Sequence, residues 1–483
     1  MPEYRHGIYV QEASTDLITL TRQASGVTFV VGTAPIREAS SPAGVNEPVR
    51  CSTYNEAVAA FGYSTDTGTY TLCEAMEVLF GLYNVAPIVM VNVFDPSAHK
   101  TTYTREEHLV TLDHKVELDG DILSTGIKVE TMTEEDDDEV WTEITPTATT
   151  YALEKTTLTL ADSFAMGAKV YVTYSKPDVS KVTATDIAGS VDATTGKATG
   201  LELVNEIYAR FGYTVGRIIA PGFSEQGAVG LKMAAKAENI DGHFSAIAIA
   251  DLPTGSIGGY AQAASVKNTL GYSHSHLITC YPCVKVGNKV QRLSTHVAGV
   301  MSKLAAENGD VPYWSPSNQP ALINGMCNAD GTSNYFGGSA ANALNGNGIL
   351  TVTNFNGWKF WGNRLSLYPS SEDPKDTWIN VRSMFNFVKA ALVTRFRSML
   401  DVPIHRRQID SIINSANTYL NGLTSMGALL GGRVEFNNED NTEAAIMSGK
   451  LVFRLYLTPP SPAEDIEFIM QYDASYLSGV LEG

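Results

Sequence analysis

The sequence predicts an α/β core built on a mostly parallel sheet, with a separate all-β domain inserted into it. The first observation is a series of short apolar runs separated by helix-like segments. The runs cover residues 27–31, 88–93, 217–220, 245–250 and 276–279. Such runs are typical of strands buried on both faces of a parallel sheet. The second observation is that residues 100–181 lack this alternation and hold short runs rich in Thr, Val, Tyr and Asp, which favours β structure.

Helix signals lie between the apolar runs. Thr53 and Glu56 have the spacing of a capping box and predict a helix that extends to about Phe61. Further helices are predicted at about 72–83, 201–211, 225–238 and 258–269. Connections of the strand–helix–strand kind are right-handed crossovers, so we expect a parallel sheet covered by helices on both faces.

Charge also sets residues 100–181 apart from the rest of the chain. The segment holds 17 acidic and 8 basic residues, so its net charge of −9 is half of the −18 carried by the whole chain. Runs such as 169–174 alternate like strands and are separated by turn residues. We therefore predict an independent, surface-exposed β domain inserted between two elements of the core.

A third unit, of α+β type, follows a Gly- and Asn-rich stretch at 328–348 that is predicted to be a long loop. Its predicted helices cover about 377–400 and 408–423, and its predicted strands lie near 433–437 and 450–457. Residues 7–12 and 465–472 also alternate like strands, but neither run has a predicted partner. A terminal strand without a local partner is either a loose tail or an arm that pairs with another sheet edge.

These patterns divide the chain into six segments. A chain of 483 residues is too long for one core, so several domains agree with its length. We predict an N-terminal arm (1–20), the first part of the core (21–99), the inserted β domain (100–181), the second part of the core (182–355), a C-terminal unit (356–466) and a C-terminal arm (467–483).

The composition argues against several classes of function. Apolar residues make up 44% of the chain and charged residues 18%, which is typical of well-packed globular domains. The net charge of −18 disfavours binding to nucleic acids or to anionic membranes, because both require a basic surface. No apolar run approaches the roughly 20 residues of a membrane-spanning helix, and the first residues do not resemble a signal peptide. The five scattered cysteines fit reduced thiols, so we expect the protein to be made in the cytoplasm.

Cys280 and Cys283 form the strongest enzyme-like pattern in the sequence. Two thiols at this spacing are typical of a redox pair, and together with His274 and His276 they would also supply four ligands for zinc. The residues that follow continue as a strand rather than open a helix, and the chain has no second cysteine pair of this spacing. We interpret them as two cysteines in a buried strand, with redox or metal chemistry as the alternative.

Ser333 follows Gly331 and Thr332 in a run similar to the nucleophile loop of subtilisin-like proteases. A catalytic triad also needs a base and an orienting carboxylate. His6 lies in the predicted arm, and Asp241 lacks the Ser or Thr that usually separates this Asp from its glycine. The sequence therefore predicts no catalytic residue.

Glycine-rich and acidic runs give no signal for a bound cofactor or metal. The stretch 331–348 has no lysine to hold a phosphate, and the glycines at 255–259 lack dinucleotide-binding spacing. The acidic run at 134–139 lacks the alternating ligands and the turn glycine of a calcium loop. We interpret it as a solvated loop and predict no cofactor.

Residues 377–407 carry a local excess of positive charge, with six basic residues against one acidic residue, in an acidic chain. This excess is either a solvated helix face or an electrostatic docking surface. The candidate docking residues are Arg382, Lys389, Arg395 and Arg397. Arg406 and Arg407 are weaker candidates because Pro403 is predicted to end the helix before them.

Nearly the whole chain resembles the tail sheath proteins of contractile-tailed phages, especially those of the P2-like type. The matching segments are 4–12, 220–222, 344–349, 358–364, 404–421, 458–460 and 476–477. The pair formed by 344–349 and 358–364 is the most specific of these. Residues 100–181 have no counterpart in the resemblance, which agrees with a variable insert.

The resemblance implies a subtilisin-like α/β core without protease activity and a C-terminal unit close to a tail tube. It also implies that the two arms add strands to the C-terminal units of neighbouring subunits. The arm residues are Ile8, Tyr9, Val10 and Gln11 at one end and Tyr476 and Leu477 at the other. Subunits joined in this way form a woven mesh of stacked hexameric rings, which contracts without nucleotide hydrolysis and drives the tube through the target envelope.

The implied partners are other copies of the chain, the tail tube protein, and the baseplate and tail terminator proteins, without nucleic acid or membrane. The implied location is the tail of the virion, after assembly in the cytoplasm of the bacterial host. Two alternatives remain open on sequence alone. One is a subtilisin-like serine hydrolase, and the other is the sheath of a bacteriocin-like or injection particle rather than of an infectious phage.

Overall fold

The computed structural model describes residues 25–135, 138–152 and 154–477. The predicted N-terminal arm strand, with Ile8, Tyr9, Val10 and Gln11, lies outside the described residues. The predicted C-terminal arm is described as far as Leu477.

Strands and helices alternate along most of the described chain. The strands are β1 (Val27–Gly32), β2 (Val49–Cys51), β3 (Ile88–Asn92), β4 (Lys100–Leu109), β5 (Lys115–Asp119), β6 (Lys128–Glu135), β7 (Asp138–Ile144), β8 (Ala148–Thr150), β9 (Lys155–Thr159), β10 (Lys169–Pro177), β11 (Val215–Ile219), β12 (Ile247–Asp251), β13 (Leu277–Cys280), β14 (Cys283–Val286), β15 (Lys289–Gln291), β16 (Gly325–Cys327), β17 (Ile349–Asn354), β18 (Trp358–Trp361), β19 (Gly431–Glu435) and β20 (Arg454–Thr458). The helices are α1 (Tyr54–Phe61), α2 (Thr71–Ala75, continued by a π-helix over Met76–Leu82), α3 (Ala184–Ala188), α4 (Ile207–Phe211), α5 (Gly227–Glu238), α6 (Tyr260–Thr269), α7 (Leu293–Glu307), α8 (Gly338–Asn345), α9 (Pro374–Thr377), α10 (Ile379–Phe396), α11 (Arg406–Ser425) and α12 (Glu443–Met447).

An eight-stranded sheet in the order β18-β17-β13-β12-β11-β1-β3-β2 forms the centre of the core. All neighbours from β17 to β3 run parallel, and the strands β2 and β18 close the two edges in antiparallel pairs. The predicted mostly parallel sheet is therefore confirmed. The five apolar runs identified in the sequence are five of its strands.

Both faces of this sheet are buried, and neighbouring residues of one strand serve different faces. In β3, Val89 and Val91 pack in a cluster with α5, whereas Ile88 and Met90 pack in a cluster with α7. This is the period of two that every strand imposes on its side chains. A strand in this position needs apolar residues at every place, which is why it appears in the sequence as a continuous apolar run.

Besides the short helix α3, the sequence analysis missed helices α7 and α8 of the core. Helix α7 was not predicted, and α8 lies inside 328–348, where a long loop was expected. In α7, 12 of the 15 residues are buried, so the helix lacks the polar face that would mark its period. Helix α8 is built from Gly, Ala and Asn, which resemble loop composition.

The strands β4 to β10 form two sheets of their own, in the orders β4-β10-β6-β7 and β5-β9-β8. These sheets enclose a separate apolar cluster that includes Val116, Leu158 and Val172. An ion pair between Arg37 and Asp121, at 2.7 Å, joins this β insert to the core. The all-β prediction for this stretch is confirmed, while the exact boundaries of the insert stay a prediction.

The C-terminal unit consists of α10, α11 and the hairpin β19–β20 around a fourth apolar cluster. The predicted boundary at 356 is wrong, because it falls in the tight turn between β17 and β18, which both belong to the core sheet. Asn356 (φ 52°) and Gly357 (φ 106°) have the left-handed backbone that lets the three residues 355–357 reverse the chain between the paired Asn354 and Trp358. The unit therefore begins after β18.

The two strands predicted near 433–437 and 450–457 are present as β19 and β20, with α12 between them. The strand predicted at 465–472 is not formed in the isolated chain. Since a strand needs a neighbour for its hydrogen bonds, the alternating pattern alone does not produce one.

Candidate assembly surfaces

The C-terminal tail leaves the body of the subunit after Glu464. The carboxylate of Glu464 accepts two hydrogen bonds from the Arg364 guanidinium, one of them 3.1 Å long from Nε. Just before it, the Asn380 side-chain amide donates to the carbonyl of Pro460 at 3.0 Å. These contacts hold the base of the tail, so its direction of departure is defined.

Beyond this point the tail exposes large apolar side chains. Ile466, Phe468, Met470 and Tyr472 are between 69% and 93% exposed, and they occur at every second position. In an extended chain all four lie on one face, and the opposite face carries Ile469 between polar residues. An apolar stripe of this size on an unpaired segment indicates a surface that another molecule covers.

The predicted arm residues Tyr476 and Leu477 lie at the end of the tail in a single 3₁₀ turn, Ala474–Leu477. Tyr476 is 82% exposed and Leu477 is 51% exposed. Their role in pairing between subunits stays a prediction.

Strand β20 offers an open edge. Within the described part of the chain it has one strand neighbour, β19, in a two-stranded sheet. The outer edge of β19 is already used in part, because the backbone N–H of Val434 donates to Asn417 of α11 at 2.9 Å. The free backbone groups of the hairpin therefore lie mainly along β20, which makes it an acceptor for an added strand.

A groove with a volume of about 630 Å³ lies between β20, helix α10 and the residues just before β12 and β13. Its apolar wall consists of Phe385, Leu392, Val393, Leu455 and Leu457. Its polar wall consists of Glu238, Ser245, His276, Arg382, Asn386 and Lys389. The groove is therefore apolar along one side and mainly cationic along the other.

Arg382 and Lys389, the first two predicted docking residues, both line this groove. Arg382 has an 11% exposed side chain and forms an ion pair with Asp376. Lys389 donates to the Ser245 hydroxyl at 2.8 Å, and burial lowers the pKa of its ammonium group. Both cations thus face the interior junction of the subunit, between α10 and the core.

The other two candidates lie at the far end of α10. The Arg395 guanidinium stacks over the Tyr419 ring of α11, with its central carbon 4.9 Å from the ring centroid. Arg397 is exposed in the 3₁₀ turn that follows the helix. Arg406 and Arg407, at the start of α11, are also exposed, and Arg406 pairs with Asp410 at 3.1 Å. The exposed positive charge of this stretch is therefore concentrated in the turn between α10 and α11.

The four residues of the metal or redox alternative form no group of three or more potential metal ligands within the described part of the chain. Cys280 ends β13 of the large sheet, and Cys283 begins β14 of a three-stranded sheet, so the expected single buried strand is two strands. Both thiols are buried, and burial raises their pKa values. His274 lies before β13, where it is 3.3 Å from Glu238, and His276 faces the groove described above.

The residues weighed and rejected as a catalytic triad lie in or next to turns, or outside the described residues. The carboxylate of Asp330 accepts hydrogen bonds from the backbone and hydroxyl of Thr332, so it closes the turn before Ser333. Asp241 is exposed in a tight turn with φ 51°. His6 lies outside the described residues.

Within residues 25–135, 138–152 and 154–477, no group of three or more His, Cys, Asp or Glu side chains is arranged to hold a metal ion. None of the helices in these ranges is long and apolar enough to cross a membrane.

Comparison with protein families identifies the C-terminal unit. Residues 371–472 match the family model described as the phage tail sheath C-terminal domain. The tail sheath protein of Burkholderia phage BcepMu is 27% identical over 489 residues, covering 98% of each chain. A putative prophage major tail sheath protein of Pseudomonas aeruginosa is 26% identical, over 62% of this chain and 75% of its own.

Solved structures show the same fold. A chain of the anti-feeding prophage baseplate superposes with a TM-score of 0.57 and 16% identity, covering 98% of this chain and 99% of that one. A chain of the contracted sheath complex of an extracellular contractile injection system, PVC, gives a TM-score of 0.56 and 13% identity, with 99% of both chains covered. The likeness extends over core, insert and C-terminal unit together.

Proposed function

We propose that the chain is a contractile tail sheath protein and that its copies assemble as stacked hexameric rings around a tail tube. Contraction of the rings drives the tube through the envelope of a target cell without nucleotide hydrolysis. The extended sheath is a metastable packing on the tube, and the contracted sheath buries more surface between subunits. The subunit thus acts through its packing rather than through catalysis, on a core of subtilisin-like topology.

The observation that supports polymerisation is the match between the tail and the open edge of β20. The tail has an apolar stripe with no partner, and β20 has unpaired backbone groups beside an apolar groove. A tail that pairs with β20 of a neighbouring subunit would satisfy that edge and cover the stripe in one step. We propose this exchange for the C-terminal arm, with Tyr476 and Leu477 continuing the contact.

The charges of the tail and of the groove also support pairing between the tail and β20. The tail carries Asp465, Glu467 and Asp473, and the groove presents Arg382 and Lys389. The opposite charges of the tail and the groove favour one orientation of the incoming strand and disfavour its reverse. Arg382 and Lys389 are therefore better suited to receiving an arm than to holding the tube.

For tube docking we propose the exposed turn between α10 and α11, with Arg397 as the main contact residue and Arg395 as a second one. Arg406 and Arg407 extend the same surface. Surface ion pairs are worth only about 0–1 kcal/mol each, so many of them hold a sheath in register and still release it.

The β insert is proposed to face outward, away from the tube axis. Its net charge of −9 would make copies repel each other if they were packed between rings. The further partners proposed for the assembled sheath are the tail tube, baseplate and tail terminator proteins, and the proposed location is the virion tail, assembled in the host cytoplasm.

A second candidate is the sheath of an injection or bacteriocin-like particle instead of an infectious phage. The superposition on chains of such particles, along nearly the full length, favours this possibility as much as the phage relatives favour the first. The presence or absence of a DNA-filled head on purified tails separates the two.

The proposed function is tested by removing the arms. Full-length chain and variants lacking residues 1–14 or 465–483 are purified, and negative-stain electron microscopy is used to look for tubes and rings. We expect tubes from the full chain, none from either variant, and melting temperatures that agree within about 2 °C. Normal contractile tubes from an arm-deleted variant would contradict the woven mesh, and a monomeric full chain at high concentration would contradict sheath assembly altogether.

A further inference from the structure

A buried cluster of charged side chains lies at the carboxyl edge of the parallel sheet. Glu74 comes from α2, Glu225 from the loop after β11, Asp251 from the end of β12, and Arg292 from the residue before α7. Four elements thus bring three carboxylates to one guanidinium. None of the functions discussed above uses these residues.

Arg292 lies between the two glutamates. Its Nη1 is 3.7 Å from Oε2 of Glu74, and its Nε is 3.4 Å from Oε1 of Glu225. The Glu74 side chain is completely buried, and the side chains of Arg292 and Glu225 are 14% and 18% exposed. The contacts are therefore shielded from water, yet too long to be strong charge-assisted hydrogen bonds.

The neutral partners in the cluster use only part of the carboxylate oxygens. Oε1 of Glu74 accepts from the backbone N–H of Arg292 and from the Thr295 hydroxyl, both at 2.9 Å. Oδ1 of Asp251 accepts from the backbone N–H of Ser294 at 2.9 Å. Oε2 of Glu74 and Oε1 of Glu225 have no hydrogen-bond partner among the described residues. A fully buried oxygen without a partner is costly as an anion and much less so as a protonated carboxyl group.

The charge of the cluster does not balance if all three carboxylates are ionised, since one guanidinium leaves two negative charges. The other titratable groups that face it are Cys280, Cys283, Cys327 and Tyr272, which supply no positive charge. Buried charges in proteins are paired or neutralised, so two further positive charges must come from bound protons or from a cation.

We infer that the cluster of Glu74, Glu225 and Asp251 around Arg292 holds at least one proton in the folded subunit at neutral pH and releases it on unfolding. The protons come from solvent and return to it, and no bond other than O–H is made or broken. The cluster thereby makes the stability of the subunit decrease as the pH rises.

The direction of the pKa shifts agrees with this geometry. Burial raises the pKa of Glu74 to about 7 and that of Glu225 to about 7, against the partial opposing effect of Arg292. Burial also raises the pKa of Asp251. A carboxylate with a raised pKa gives stability that is fully present below its unfolded pKa and is lost as the pH rises through its folded pKa. The relevant window is therefore about pH 4.5 to 7.

The test compares the full-length unassembled subunit with Glu74→Gln, an isosteric change that mimics the protonated form. Urea unfolding is measured from pH 5 to pH 8.5 in buffers of constant ionic strength. One proton bound in the folded state changes the unfolding equilibrium constant by up to about tenfold per pH unit. We compare the unfolding equilibrium constants of parent and variant at each pH. We expect the ratio of parent to variant to rise at least about tenfold between pH 5 and pH 7 and then to level off.

Two further variants serve as the control and as a second test of the cluster. Glu372→Gln, which changes an exposed carboxylate outside the cluster and the tail, is the matched control and should follow the parent at every pH. Glu225→Gln should repeat the result of Glu74→Gln and serves if the latter does not fold. Parallel pH profiles for the parent and both cluster variants would overturn the proposal. So would a parent profile that disappears on adding sodium, potassium or calcium, because a cation rather than protons would then balance the cluster.

Discussion

Replacing Phe468 and Met470 by Asp tests whether the tail pairs through its apolar stripe. Both side chains are almost free of contacts in the single subunit, at 84% and 93% exposed, so the double variant should change the free energy of unfolding by less than about 0.5 kcal/mol. On pairing, each side chain should gain about 2 kcal/mol from burial. The variant therefore loses about 4 kcal/mol at each arm contact, which is about a thousandfold in the association constant.

The matched control is Ile469→Asp, which changes a side chain of the same kind on the opposite face. Ile469 is 81% exposed, so the control adds one negative charge, half of what the double variant adds, without touching the stripe. Sedimentation velocity over a concentration series measures assembly, and calorimetry measures the subunit. We expect the double variant to remain monomeric and the control to assemble within about tenfold of the parent concentration. Equal losses in both variants, or a lower melting temperature in the double variant alone, would refute pairing through this face.

Three other predictions concern the β insert, the exposed turn between α10 and α11, and two buried histidines. Replacing residues 100–177 by two glycines should leave tube formation intact in electron micrographs, because Lys100 and Pro177 are direct partners across β4 and β10 and a short turn can join the remaining ends. Arg397→Glu with Arg407→Glu should give subunits that fold and polymerise but do not stay on a tube, with a defect that high salt reproduces in the parent. Burial lowers the pKa of His276 and of His296 to about 3, so these two side chains should reduce the free energy of unfolding as the pH falls below about 6.5. In urea unfolding, His276→Asn should therefore lose less free energy of unfolding than the parent between pH 6.5 and 4.5.

The core was predictable from sequence wherever a strand is buried on both faces. Runs such as 246–250 have no polar position, and this pattern leaves few alternatives once turns flank it. Helix α1 was predictable for a local reason, since the Thr53 hydroxyl accepts from the backbone N–H of Glu56 at 3.2 Å. In both cases the information lies within about ten residues of chain.

The parts that were missed depend on contacts far apart in sequence. Helix α7 is buried by packing against the sheet and the π-helix, and its own residues show no polar face. The grouping of Glu74 with Arg292 joins residues that are 218 positions apart, and no local pattern marks either of them. The orientation of Arg382 and Lys389 toward a groove could not be predicted either, because that groove is formed by Leu455 and Leu457 of a later hairpin.

Helix α10 determines which parts of the subunit are free to move during a change of packing. Its first residue, Ile379, belongs to an apolar cluster of the core, while Met384 and Val388 belong to the cluster of the C-terminal unit. The Asn386 amide also donates to the carbonyl of Ala246, just before β12, at 3.0 Å. A buried helix shared by two clusters ties them together, since sliding one against the other would open cavities in both. We therefore expect core and C-terminal unit to rotate as one body in contraction, so that the change between packings falls on the exposed tail beyond Glu464.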